Sequence, residues 1–279
     1  MKKFWKSLGA AAAYFGVFLG IQFLVSLAGT LLMLGQVVGQ YGLSLFQNVN
    51  QFHRVLMQEL TKSVTVLVLI SNLVTVLAFF LWFRCRGKRF SQEIGLHRTT
   101  GRNMAMSVIL GIGLCFFMDL LTAVLPISEQ TMEQFESQHN MLWFGDAGIT
   151  FLSVAIAGPV SEEICFRGLV HNRLRQGMGP WLAGILSSVL FGMAHGDPVW
   201  FLVGFVAGLA LSWTYEVTGS LWCPIVVHVT NNAISSMTAY LPISETLHTV
   251  LVAVSVVLTL GAGWLLYRWN RRTVPEEIL

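Results

Sequence analysis

The sequence predicts an all-α polytopic membrane protein with about eight transmembrane helices enclosing an intramembrane cavity. Three observations carry this. Of 279 residues, 54% are hydrophobic and only 11% charged, where a soluble domain carries about 25% charged. Apolar stretches long enough to cross a bilayer recur along the chain. The basic residues fall almost wholly on one side of the resulting topology. A soluble cytosolic enzyme, a disordered chain and a secreted disulfide scaffold are excluded. The net charge of +3 is spread in small groups, and no nucleic-acid partner is expected.

The eight stretches are roughly 9–35, 63–83, 103–126, 148–171, 180–196, 199–217, 221–240 and 248–268. The first follows Lys2, Lys3 and Lys6. It is far longer than the ~7–15 apolar residues of a secretory signal, so it reads as a retained span. The longest connections are 36–62 and 127–147. The fifth and sixth spans are separated by little more than Gly196-Asp197-Pro198. The whole chain, 1–279, reads as a single membrane domain.

With a cytoplasmic N-terminus, the inner segments hold Lys2, Lys3 and Lys6; then Arg84, Arg86, Lys88, Arg89, Arg98 and Arg102; then Arg167, Arg173 and Arg175; then Arg268, Arg271 and Arg272. Only Arg54 and Lys62 lie outside. The second outer connection carries Glu129, Glu133, Glu136 and Asp146 with no base. Both termini are therefore expected in the cytoplasm. Cys85, Cys115, Cys165 and Cys223 are dispersed, with no CxxC pair, which suggests neither a zinc cluster nor a disulfide framework.

Small residues at helical spacing, Gly204 with Gly208 and Gly184, Ser188 with Gly192, predict close helix packing between the fifth and sixth spans.

Ionisable groups inside spans are costly, about 2.5–3.5 kcal/mol each near the centre, and require a partner, a water cavity or a function. They concentrate in the second half. Glu163 and Arg167 are four apart and share a helix face. Glu162 is turned about 100° away, so it is the acid left to face a cavity. Pro159 has no N–H, which frees the carbonyl of Ala155 and loosens the helix before the acids. His195 closes the fifth span. His228 and Asn232, four apart in the seventh, can point together, with Asn231 rotated away. Glu162 and His195 meet only if the fifth helix is short, tilted or starts deeper.

A carboxylate beside an imidazole can hold and deprotonate water. Glu162 is the candidate base and His195 its partner. His228 and Asn232 are candidate donors to an oxyanion, and Glu163 with Arg167 would hold the helix and its charges. The reaction class is peptide-bond hydrolysis in or beside the membrane. The rival version places Zn²⁺ on Glu162, Glu163, His195 and His228, although no HExxH pattern is present. Ser161, Ser187 and Ser188 lack the GxSxG turn of a serine hydrolase.

The three ordered motifs are EExxxR (Glu162, Glu163, Arg167), FxxxH (Phe191, His195) and HxxxN (His228, Asn232). Together with Thr218-Gly219-Ser220-Leu221-Trp222, they resemble the CPBP family of CAAX-type prenyl endopeptidases and bacteriocin-processing or Abi-like intramembrane proteases. The resemblance covers roughly 150–235. It implies an eight-helix membrane endopeptidase, glutamate-dependent or a metalloprotease, in the bacterial cytoplasmic membrane. The implied substrate is a peptide or protein, membrane-associated or prenylated. It assigns water activation to Glu162 and His195 and the oxyanion site to His228 and Asn232.

Two other functions fit polar groups in spans. One is a transporter or proton-coupled carrier, with Asp119 on the pathway; the other is a non-catalytic bacteriocin-immunity or scaffold protein. His53, His97, His139, His171 and His248 read as solvent, interface or loop residues, and Glu216 as a helix-end residue that could reach the cavity.

Overall fold

The structure, a computed structural model, describes residues 1–141, 145–241 and 243–271. Arg272, counted above among the inner bases, lies outside them. Among the described residues every regular element is helical. We number the helices α1 (Lys2–Tyr41), α2 (Val49–Arg84), α3 (Phe90–Glu93), α4 (Gly101–Val124), α5 (Glu129–Met141), α6 (Ala147–Arg175), α7 (Pro180–Met193), α8 (Pro198–Thr218), α9 (Trp222–Tyr240) and α10 (Glu245–Asn270).

Each expected span coincides with a helix. Six of them, α1, α2, α4, α6, α8 and α10, are long and apolar enough to cross a membrane. The chain is an integral membrane protein of the all-α class. The other two fall short of that standard for different reasons. Helix α7 has only 14 residues. Helix α9 has 19 residues but carries His228, Thr230, Asn231 and Asn232.

Two connections are more ordered than expected. The segment 36–62 is mostly helix: α1 runs to Tyr41, a single 3₁₀ turn covers Leu43–Gln47, and α2 starts at Val49. The polar residues here favour helix, and Asn48 caps α2 by accepting from Gln51 N at 3.0 Å. The segment 127–147 carries α5, a polar helix with Glu129 in its first turn.

Helices α1 and α2 pack as a pair, α4 lies against both α9 and α10, and α6 contacts α1, α2, α7 and α9. One apolar cluster joins α1, α2, α6 and α7 through Phe18, Phe79, Phe166 and Phe191. A second joins α4, α8, α9 and α10 through Leu114, Leu211, Val227 and Leu266. Helix α6 thus sits where the two halves meet.

The small-residue stripe does what its spacing predicts. A Cβ at Gly208 would lie 2.9 Å from Ser188 Cβ, and one at Gly204 would lie 3.3 Å from Gly192 Cα. Only glycine lets α7 and α8 approach this closely.

Candidate active site

Helix α6 is not uniform. Wide π-type turns at Phe151–Ala157 and Ile164–His171 bracket the ordinary α-helical turn Gly158–Glu163. Pro159 explains the first. The Gly158 N–H reaches back five residues to Ser153 O rather than four to Val154. In that wider register the partner of Val154 O would be the N–H of residue 159, which proline lacks. The carbonyl of Val154 is therefore left without a backbone donor in this wider register. Asn232 Nδ2 satisfies it at 2.9 Å. The residue pattern expected at an oxyanion site thus begins by holding α9 against α6.

The wide turns leave Glu162 and Glu163 in different environments. The Glu163 side chain is 0% exposed and that of Glu162 is 23%. Arg167 Nη1 donates to Glu163 Oε1 at 2.8 Å, with both side chains fully buried. A second N–H of the guanidinium, on Nη2, donates to Gly208 O at 3.2 Å. The guanidinium carbon also stands 4.5 Å above the Phe191 ring, a cation–π contact worth about 2 kcal/mol when desolvated. The close approach of α8 that Gly208 permits is what brings this carbonyl within reach.

Glu163 Oε1 also lies 2.8 Å from His228 Nδ1. One carboxylate oxygen therefore ties Arg167 on α6 to His228 on α9. The other, Oε2, is buried with no partner. With Nδ1–H donating to Glu163, the opposite ring nitrogen, Nε2, points to Glu162 Oε2 at 3.7 Å. This differs from the expected division of labour. Among the described ion pairs the imidazole facing Glu162 belongs to His228, and no nitrogen of His195 comes within 4.0 Å of that carboxylate.

His195 sits in the turn between α7 and α8. Its Nδ1 is 2.9 Å from Phe191 O, so that nitrogen is the donor and Nε2 is left as an acceptor. Its ring stacks on Trp200 at 6.1 Å and 19°. Trp200 is held by the α8 start, where Asp197 accepts from Val199 N and Trp200 N, and by Phe135 of α5 at 4.9 Å. Phe191 is the common wall: its ring centroid lies 5.0 Å from that of His195 and 5.7 Å from that of His228.

Four of the six expected residues, Glu162, Glu163, Arg167 and His228, lie within 4.0 Å of one another in a chain of contacts between α6 and α9, and Asn232 joins the same two helices through Val154 O. His195 reaches the same group through Phe191. The expected metal donors do not converge. Among the described residues no three His, Cys, Asp or Glu side chains are placed to hold an ion, and Glu163 Oε1 and His228 Nδ1 are spent on each other. Zinc does not fit the donor set as arranged. The serine hydroxyls are occupied elsewhere: Ser161 bonds Asn72 and Gly158 O, Ser187 bonds Phe166 O, and Ser188 bonds Gly184 O.

Three features escaped the sequence reading. Asn72, a polar residue within the apolar second span, accepts from Ser161 next to Glu162 and from Gln22. Trp200 braces His195, with no signal beyond an aromatic residue at a helix start. His171, expected in a loop or at the surface, is 0% exposed and pairs with Glu216 at 2.7 Å, which also meets Arg175. Its spacing eight residues after Glu163 was the available clue. Asp119 pairs with His248 at 3.1 Å, both about half exposed.

Residues 145–234 match the family model described as Type II CAAX prenyl endopeptidase Rce1-like, a segment that contains all six candidate residues. Over 78 residues the chain is 35% identical to the Bacillus subtilis (strain 168) protein named "Putative membrane peptidase YdiL", covering 28% of this chain and 32% of that one. It is 33% identical over 89 residues to an uncharacterized 24.3 kDa protein of Escherichia coli, with 30% and 41% covered. It is 32% identical over 89 residues to the membrane-embedded CAAX protease MroQ of Staphylococcus aureus (strain USA300), with 28% and 34% covered. The match thus spans between about a third and two fifths of the length of these relatives. No solved structure is a significant match to the chain.

Proposed function

We propose that this chain is an intramembrane endopeptidase that cleaves peptide bonds with a water activated by Glu162. The observation that carries the reading is the unequal setting of the two adjacent acids. Glu163 is fully buried and engaged by Arg167 and His228, whereas Glu162 is partly exposed and makes no direct hydrogen bond to either. The Rce1-like match over the same residues supports it, as do the names of two of the relatives.

Glu162 accepts a proton from water as the oxygen attacks the scissile carbonyl carbon. His195 Nε2, left as an acceptor by the Nδ1 contact to Phe191 O, orients the same water across the gap from Glu162. The proton then passes from Glu162 to the leaving amine, which restores the carboxylate. The developing oxyanion is met by His228 and Asn232. His228 Nε2 carries a proton for this purpose only as imidazolium, with Glu163 as counter-ion at Nδ1. Asn232 has one amide N–H committed to Val154 O and one left to donate. Arg167 is a positioning residue: it fixes Glu163, which fixes His228.

The substrate class in this reading is a membrane-associated or prenylated peptide, and the setting a bacterial cytoplasmic membrane with both termini inside. The test is cleavage of a prenylated CAAX peptide by the purified full chain in detergent, with Glu162→Gln as control. Elemental analysis of the active preparation and its sensitivity to chelator bear separately on whether a metal takes part.

A further inference from the structure

We infer that the chain holds a specific anionic phospholipid between α1, α2 and the C-terminal end of α6. The proposal does not rest on the protease reading. A cavity of about 490 Å³ follows α1 from Lys3 to Val17, about four turns or ~21 Å. Ala10, Ala13 and Ala78 make room for it, where larger side chains would close the groove between the two helices. Tyr14, Phe79 and Trp82 form its apolar wall. Val17 and Trp82 are exposed on helices apolar enough to cross a membrane, so this side of the cavity faces hydrocarbon.

The other end is cationic. Lys3, Lys6 and Arg173 line it, with the amide of Gln176. Arg173 is already paired with Glu93 at 3.1 Å and its guanidinium lies 5.8 Å from the Tyr14 ring centre, so it forms a fixed wall. Among the described residues no acid pairs with Lys3 or Lys6. Two ammonium groups without counter-ions, above an apolar slot as long as part of an acyl chain, match a phosphate headgroup with its chain below. Basic pockets between spans commonly take anionic headgroups. A bound lipid here would bridge helices, since α1 meets the end of α6 closely: a Cβ at Gly177 would fall on the Ser7 side chain.

The test uses the full chain in detergent, exposed to phosphatidylglycerol or to phosphatidylcholine with the same acyl chains. Native mass spectrometry counts retained lipid, and thermal unfolding reads stabilisation. The expected result is at least tenfold preference for phosphatidylglycerol, lost in Lys3→Ala/Lys6→Ala and kept in Lys62→Ala. Ala13→Phe, which fills the slot and leaves the charges, should also lose it. Equal retention of the two lipids overturns the proposal. So does wild-type retention by either the double-lysine or the Ala13→Phe variant. Stabilisation by inorganic phosphate equal to that by phosphatidylglycerol would place a soluble anion there instead and also overturn it.

Discussion

Glu163 Oε1 stands 2.8 Å from His228 Nδ1 and 2.8 Å from Arg167 Nη1, so a single buried oxygen locks two helices and sets the orientation of an imidazole. Removing that oxygen leaves a buried guanidinium and an unanchored His228. Breaking a buried pair from one side costs about 3–5 kcal/mol. Glu163→Ala is expected to lower the melting temperature in detergent sharply. Arg167→Met combined with Glu163→Gln, which removes both charges, should recover a large part of the loss. A double variant no more stable than Glu163→Ala would count against the pair as the lock.

His195 tests the opposite case. Its side chain bonds only a neighbouring carbonyl and stacks on Trp200, so little of the fold depends on it. His195→Ala should leave the melting temperature within a few degrees of wild type while cleavage falls by about 10²–10⁴-fold, the usual range for a positioned acid–base partner. Both numbers come from one preparation, by thermal scan and peptide assay. Wild-type turnover would remove His195 from the mechanism.

The Val154 carbonyl offers a test that needs no substrate. Asn232→Ala strands it, at a cost of about 1–3 kcal/mol. Pro159→Ala supplies an N–H that can serve the same carbonyl in the wide register, or return the turn to the ordinary one. The double variant Pro159→Ala/Asn232→Ala should therefore be more stable than Asn232→Ala alone. Additive losses in a double-mutant cycle of thermal stabilities would contradict the link between the proline and the asparagine.

Much of the fold could be read before the structure because lipid imposes a length and a polarity on each span. The positions of the six long apolar helices followed from it, as did the Glu163–Arg167 pair, which depends only on spacing within one helix. What could not be read depends on register between helices. That Val154 O lacks a backbone donor requires knowing that the turn before Pro159 is one residue wider. That His228 faces Glu163 with Nδ1 and Glu162 with Nε2 requires the rotation of α9 about its axis. His171 and Glu216 meet only because the end of α6 lies beside the end of α8.

Close packing of α7 on α8 provides a further check. Gly208→Val puts a branched side chain where a Cβ alone would be 2.9 Å from Ser188 Cβ. The two helices must separate, and Gly208 O then withdraws from Arg167. Both stability and activity should fall, with overpacking worth about 1–3 kcal/mol. Gly208→Ala should show a milder form of each in the same assays.

The account stands or falls on the carboxylate of Glu162. Glu162→Gln keeps the shape and removes the base, and the hydrogen bonds that join Glu163 to Arg167 and His228 do not include it. The decisive measurement is the single-turnover cleavage rate of Glu162→Gln against wild type, on a peptide the wild type cleaves, with thermal unfolding of both. A fall of at least about 10²-fold at an unchanged melting temperature is the predicted result. Cleavage at the wild-type rate by a folded Glu162→Gln protein would contradict it.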